Sequence, residues 1–184
     1  MSGGAGAVGH SAIELARWAG ATVITTVSSA EKARLAARAG AHAIVNYRQQ
    51  EAVDAIRQVA PRGVDSIVEV APSANADLDA AVLAHGGTVA AYASAPQQVL
   101  SLPVRELMEL NSRWQFVLVY TMPATAKIDA VAAVSQALRD GVLRVGVGAG
   151  LPVLHYGLEE VEAAHESVRS GAVGKVIVTV DDTV

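Results

Sequence analysis

The sequence predicts an α/β fold in which helices cover both faces of a parallel sheet, and three observations lead to this prediction. Short β-branched runs alternate with helical patterns of about 10 to 15 residues along the 184-residue chain. Alanine, valine and glycine dominate and aromatic residues make up only 4%, as expected where helices pack closely on a sheet that is buried on both faces. A glycine-rich motif opens the first helix. Together these features indicate a doubly wound, Rossmann-type sheet in one domain spanning residues 1–184.

Each element of the first half has its own local signal. Apolar residues recur at helical spacing after the glycine motif, and Gly20 follows where a left-handed residue ends a helix. The next run, ATVITTV, is β-branched and too short for a free helix, and Ser28 or Ser29 can cap the helix after it, which Gly40 closes. The predicted elements are helix 7–19, strand 21–27, a helix running to 39, strand 43–47, helix 50–59, strand 64–70 and helix 73–84.

The second half repeats the alternation after a turn at Gly86 and Gly87. Its predicted elements are strand 88–93, short helix 103–110, strand 114–120, helix 128–138, strand 151–155, helix 158–169 and strand 175–180. Strands that are separated by helices join through right-handed crossovers, so the strands are expected to be parallel.

Composition excludes several classes of function. A net charge of -4 offers no broad basic surface, so we expect no nucleic-acid partner. The absence of cysteine excludes disulfides and thiolate metal sites. The sequence has no apolar run long enough to span a membrane and no signal-peptide pattern at its start. We therefore expect a cytoplasmic protein without a membrane partner.

The segment Gly4-Ala5-Gly6-Ala7-Val8-Gly9 is a G-x-G-x-x-G motif at the start of a helix. In a dinucleotide-binding domain such a turn lets a pyrophosphate approach the amides of the helix N-terminus. The helix and strand that follow have the spacing of the same βαβ unit. We therefore predict that Gly4, Gly6, Ala7, Val8 and Gly9 bind the cofactor, the alternative being an ordinary glycine turn.

The end of the second strand predicts which dinucleotide binds. An NAD site usually has an acidic residue there, about 20 residues after the glycine loop, to accept hydrogen bonds from the ribose. Here the strand ends in Thr26-Val27-Ser28-Ser29 and Lys32 follows in the next helix. Hydroxyl groups and a cation suit the 2′-phosphate of NADP(H). The alternative is that Lys32 is only solvated and Glu31 contacts the ribose.

At this point the sequence resembles the zeta-crystallin-type NADPH:quinone oxidoreductases of the medium-chain dehydrogenase/reductase family. The resemblance rests on GGAGAVG followed by VITTVSSAEKARLAARAGAHAIVNYR, and it continues through YGLEEVEAAHESVRSGAVGKVIV near the end of the chain. It implies that Lys32 meets the 2′-phosphate and that Tyr47 lines the adenosine site, with Ser28 and Arg48 assisting.

The resemblance also implies where the nicotinamide binds. Ligands of such folds lie outside the carboxyl ends of the strands, so backbone near Ala71, Tyr92, Ala93 and Ser94 and the strand end at 116–120 would flank the ring. One departure is visible, because Val70-Ala71-Pro72 follows Glu69 where the family usually has a glycine.

The expected function is hydride transfer from NADPH to a quinone or another electron-poor small molecule. Five histidines without metal-ligand spacing and no recognisable side-chain catalyst agree with it, because the nicotinamide carries this chemistry. We therefore assign no catalytic and no metal-binding residues. Two alternatives stay open: an enoyl reductase domain of a polyketide or fatty-acid system, and a catalytically inactive nucleotide-binding fragment.

Only Met1 and Ser2 precede the glycine motif, where a strand of about five residues is expected. We expect that the first, central strand is missing, that the GroES-like substrate domain of the family is absent, and that residues 172–184 would return to it. Strand 175–180 is expected to fill the vacant position or to pair with another copy. The apolar edge strand between Phe116 and Val119 predicts a homodimer with a continuous sheet.

Overall fold

The computed structural model describes residues 1–94, 97–144 and 146–180, in which helices and strands alternate. Residues 181–184 of the predicted return segment lie outside the described residues. The helices are α1 (Ala7–Trp18), α2 (Ala30–Arg38), α3 (Ala52–Val59), α4 (Pro72–Val82), α5 (Val104–Glu109), α6 (Ala124–Arg139) and α7 (Val161–Arg169). The strands are β1 (Ile24–Val27), β2 (Ala43–Asn46), β3 (Val64–Glu69), β4 (Leu83–Ala91), β5 (Arg113–Phe116), β6 (Val153–Gly157) and β7 (Lys175–Thr179).

All strand pairs among the described residues are parallel, which confirms the predicted α/β fold. The hydrogen-bonded ladders form three groups: β1 with β2, β3 with β4 and β5, and β6 with β7. The sheet is therefore divided where one continuous doubly wound sheet was expected.

A strand position lies between β1 and β3, and Met1 and Ser2 occupy one end of it. Ser2 forms a parallel bridge with Thr26, its N–H donates to Val68 O at 3.0 Å, and Thr26 N–H donates to Met1 O at 3.1 Å. These two residues thus occupy one end of a strand position between β1 and β3. Along the rest of that position the facing strand edges line a cavity of about 500 Å³.

The expectation that residues 175–180 fill this position is wrong. Strand β7 pairs with β6 from Lys175 opposite Val153 to Thr179 opposite Gly157. The two strands are joined through α7, and such a short crossover favours pairing between neighbours in the sequence.

Several predicted boundaries also differ, and two of these differences have a clear cause in the sheet. Strand β5 ends at Phe116, because its partner β4 ends at Ala91 and the last bond of the ladder is Val117 N–H to Ala91 O at 2.8 Å. Strand β4 already begins at Leu83, inside the predicted helix 73–84, because Leu83 is completely buried and pairs with Val64. Tertiary burial here outweighs the local helical pattern.

Two apolar clusters hold the first three parallel strands in place. One cluster joins β1 to β4 with α3 and α4 through Ile24, Val45, Ile56, Ile67, Val82, Leu83 and Val89. The other joins β1 and β2 to α1 and α2 through Ile13, Val23, Val27, Ala36 and Ala39, with Ile44 packed against it. The carboxyl ends of β1, β2 and β3 therefore open onto a common region. None of the described helices is long and apolar enough to cross a membrane.

Candidate nucleotide-binding site

The glycine motif forms a tight turn that leads into α1. A Cβ atom at Gly9 would overlap Gly3 O and lie 2.9 Å from Gly4 Cα, and a Cβ at Gly4 would overlap the Thr25 side chain. Glycine is therefore required at both positions by close approach. The N-cap of α1 is Gly6, which has no side chain to cap the helix. The amides of the first turn are therefore available to an anion.

Five of the residues predicted from the sequence line one cavity of about 700 Å³: Gly6, Ser28, Lys32, Tyr47 and Ala71. Ser28 follows β1, Tyr47 follows β2 and Ala71 follows β3. The cavity thus lies outside the carboxyl ends of three parallel strands and beside the N-terminus of α1, which is the position expected for a ligand in this fold.

Ser28 and Lys32 form the polar part of this cavity. Lys32 Nζ donates to Ser28 Oγ at 3.1 Å, and the Lys32 N–H donates at 3.2 Å to Ser29 Oγ, the N-cap of α2. No carboxylate stands among the described lining residues of this cavity, and Glu31, the alternative ribose partner, is exposed. A hydroxyl and a partly buried ammonium group without a competing acid suit a phosphate.

The other predicted residues of the glycine motif do not line the cavity. Gly4 and Gly9 are buried and shape the turn from behind. Ala7 and Val8 lie in the first turn of α1, where their contribution to a ligand is limited to backbone amides, and the Val8 side chain is exposed.

Three further predicted residues also lie outside the described lining. The Arg48 side chain is exposed, while its N–H donates to Asn46 Oδ1 at 3.2 Å. Tyr92 and Ala93 follow β4, and the Tyr92 N–H donates to Glu69 O at 3.1 Å. These two residues extend the row of strand ends beyond Ala71.

Sequence reasoning missed part of the cavity wall. Ser2, Asn75 and the segment Gly171 to Val173 line it as well. The segment is the turn between α7 and β7, and its glycines, Gly171 and Gly174, have positive φ angles. The run RSGAVGK, with small residues between two glycines, was the available signal for this turn.

A buried polar network lies behind the Ala71 wall. Glu69, the last residue of β3, is fully buried, and its Oε1 accepts hydrogen bonds from Ala71 N–H and, at 3.0 Å, from Asn75 Nδ2. Asn75 Nδ2 also donates to Ser2 Oγ at 3.1 Å. Burial, and secondly the negative charge of Glu69, raise the pKa of the neighbouring Asp79 carboxyl to about 8. Asp79 therefore keeps its proton to a higher pH than an exposed aspartate does.

A second buried network supports α1. Glu14 is 2% exposed and forms an ion pair with Arg144 at 2.6 Å, and the Arg144 guanidinium also donates to Arg38 O at 2.8 Å. His10, one turn before Glu14, is completely buried, and this burial lowers its pKa. The network links the first helix to residues before the third sheet group.

Among known proteins, the chain is similar in sequence to oxidoreductases. The chain is 30% identical over 180 residues to a quinone oxidoreductase of Pongo abelii, with 96% of this chain and 53% of the relative covered. It is 30% identical to a 2-haloacrylate reductase of Burkholderia sp, with 88% of this chain and 49% of the relative covered. The chain thus spans about half the length of the relatives it matches.

A solved structure shows the same fold. The Escherichia coli quinone oxidoreductase complexed with NADPH superposes with a TM-score of 0.80 at 22% identity, covering 96% of this chain and 55% of that one. At this level of identity the likeness establishes the fold of the described residues.

The family model described as zinc-binding dehydrogenase matches residues 7–136. The residues of this chain do not fit a zinc ion: the sequence contains no cysteine, and in the described ranges no three His, Asp or Glu side chains come together to hold a metal. Because the family model covers well over half of the chain, the chain belongs to this dehydrogenase family, as the medium-chain dehydrogenase/reductase resemblance implied.

Proposed function

We propose that this chain is the NADP(H)-binding half of an oxidoreductase that transfers a hydride from NADPH to a quinone or another electron-poor small molecule. The observation that carries the proposal is the convergence of Gly6, Ser28, Lys32, Tyr47 and Ala71 on one cavity. A helix N-terminus, a cation with a hydroxyl, an aromatic ring and a strand end are the parts that a phosphorylated dinucleotide requires.

Each part has a role in the proposed complex. The amides of the first α1 turn hold the pyrophosphate, Lys32 and Ser28 bind the 2′-phosphate, and the half-exposed Tyr47 ring covers the adenosine. Ala71 and the strand ends at Tyr92 and Ala93 form the wall for the nicotinamide. When bound, the nicotinamide supplies the hydride, and the chain's own residues orient the ring and exclude water from one face.

Reduction of an electron-poor alkene is a second candidate within the same chemistry. The 2-haloacrylate reductase relative favours it, and an enoyl reductase domain would use the same cavity. Turnover assays with a quinone and with an α,β-unsaturated acid, each followed by oxidation of NADPH, separate the two substrate classes. Nucleotide binding without turnover of either substrate would instead favour an inactive nucleotide-binding chain.

The proposal is tested first by titrating the chain with NADPH and with NADH, following the fluorescence of the reduced nicotinamide. A charge-assisted hydrogen bond to the 2′-phosphate contributes about 1.5 to 3 kcal/mol, so NADPH should bind roughly ten- to a hundredfold more tightly than NADH. Lys32→Ala should remove this preference.

Arg34→Ala is the matched control, because Arg34 is an exposed cation on the same helix and does not line the cavity. This variant should retain the preference of the original chain. Equal affinity for NADPH and NADH in the unmodified chain, or the same loss in both variants, would contradict the assignment of Lys32.

We also propose that the chain works in the cytoplasm as a homodimer. Strand β5 is the edge of its sheet group, and Phe116, Leu118 and Val119 are each more than half exposed. An apolar exposed edge favours pairing with a second copy.

A further inference from the structure

Glu69 lies behind the wall of the 700 Å³ cavity and is not one of the residues that line it. Ser2, Ala71 and Asn75 line the 700 Å³ cavity. Glu69 and Asp79 line only the 500 Å³ cavity, to which Ser2 and Asn75 also contribute. Glu69 is connected to two of the lining residues by hydrogen bonds, from Ala71 N–H and from Asn75 Nδ2. Its carboxylate thus fixes the turn between β3 and α4.

Two oxygens of this network need a proton between them. Glu69 Oε2 and Asp79 Oδ2 are buried and have no hydrogen-bond partner among the described residues. A buried polar atom without a partner is costly, and two ionised carboxylates in contact repel each other. One proton held on Asp79 and directed to Glu69 satisfies both oxygens and leaves a single negative charge.

We infer that Glu69 is a positioning residue of the nucleotide site, and that it holds the Ala71–Asn75 wall in the binding geometry only while Asp79 carries its proton. The inference rests on the proposed binding of NADP(H) to this cavity. Loss of the proton places a second negative charge beside Glu69. Relief of the repulsion moves the turn, and the amide wall that faces the nicotinamide moves with it.

The groups around the pair determine the pH range in which this happens. Asp79 titrates at a pKa of about 8 because of its burial and the charge of Glu69. Burial raises the pKa of Tyr92 above its usual 10, so Tyr92 stays neutral through pH 9. The Met1 ammonium also faces the pair, and burial lowers its pKa below 8. The charges of Asp79 and Glu69 oppose this lowering, so the Met1 ammonium titrates as part of the same coupled group, and a difference between variants reports that group as a whole.

The experiment measures NADPH affinity by fluorescence titration between pH 7 and pH 9 for the whole chain. Coupling between two sites in a protein is typically about 5- to 150-fold, and we expect affinity to fall about fivefold or more over this range, with a midpoint near pH 8. Asp79→Asn keeps a hydrogen-bond donor beside Glu69 at every pH and should keep the affinity at pH 9.

Asp77→Asn is the matched control, because Asp77 is an exposed acid on the same helix and its variant should show the pH profile of the original chain. Glu69→Gln removes the other member of the pair and should also flatten the profile, with weaker binding at every pH, and it replaces Asp79→Asn if that variant does not fold. Identical profiles for the original chain and either variant of the pair would overturn the inference.

Failure of the proposed function can be distinguished from failure of the inference about the carboxyl pair. If NADPH does not bind at any pH, the proposed function fails, and thermal unfolding then tests the carboxyl pair alone. The pKa of Asp79 is raised from 3.8 to about 8 in the folded chain, so its contribution to stability is complete below pH 4 and is lost as pH rises to 8. The difference in the free energy of unfolding between Asp79→Asn and Asp77→Asn should therefore grow from pH 4 to pH 8. A difference that stays constant over this range would contradict the proposed carboxyl pair as well.

Discussion

The close approach of α1 to the glycine turn gives a sharp test of the site's geometry through Gly9→Ala. The added methyl would overlap Gly3 O and lie 2.9 Å from Gly4 Cα. Both obstacles are backbone atoms, so no side chain can rotate away. Relief requires α1 to move away from the turn that it packs against.

The magnitude follows from two opposing effects. Alanine is favoured over glycine inside a helix by about 1 kcal/mol, whereas overpacking a tight contact costs about 1 to 3 kcal/mol. With backbone on the far side of the contact we expect the upper end, hence a net loss of about 2 kcal/mol. For a chain of this size each kcal/mol lowers Tm by about 2 to 4 °C, so Tm should fall by roughly 4 to 8 °C.

Gly148→Ala is the matched control. It makes the same chemical change at an exposed glycine whose added Cβ meets nothing within 4 Å, and its Tm should stay the same or rise slightly. Thermal melts followed by circular dichroism, with urea unfolding as a second measure, give the comparison. Equal Tm values for Gly9→Ala and Gly148→Ala would refute the packing argument and the reason given for glycine at position 9.

Two further predictions concern other parts of the chain. Arg144→Met should destabilise the chain by about 1 to 3 kcal/mol, below the 3 to 5 kcal/mol of a fully buried pair, because it leaves the buried Glu14 unpaired while Arg144 itself is 41% exposed. Arg169→Met, which breaks an exposed pair with Glu166, should cost at most about 1 kcal/mol, and equal urea midpoints for the two variants would contradict the role of Glu14. Phe116→Glu should convert a dimer to a monomer in light scattering, whereas Met108→Glu, a change at a similarly exposed apolar residue, should leave the dimer intact; a monomeric original chain would end the dimer proposal.

Much of the fold and part of the site could be predicted from local patterns. Periodic apolar residues and the serine at the start of α2 indicated the helices, and the cap bond from Lys32 N–H to Ser29 Oγ confirms that signal. The order of strands and helices implied that Ser28, Tyr47 and Ala71 would follow neighbouring strands, and they do meet at one cavity. These inferences succeed because they depend on residues a few positions apart and on the common direction of parallel strands.

Other features depend on contacts between distant parts of the chain, and only the tertiary structure decided them. Strand β7 pairs with β6, and β5 ends where its partner β4 ends. The division of the sheet likewise depends on which strands pair with each other. The approach of the Gly171 turn to the cavity and the hydrogen bond from Asn75 to Ser2 likewise join segments that are far apart in the sequence. Local chemistry in the sequence thus determined the elements and the residues proposed to bind phosphate, whereas burial and strand pairing determined how the wall of the cavity is held.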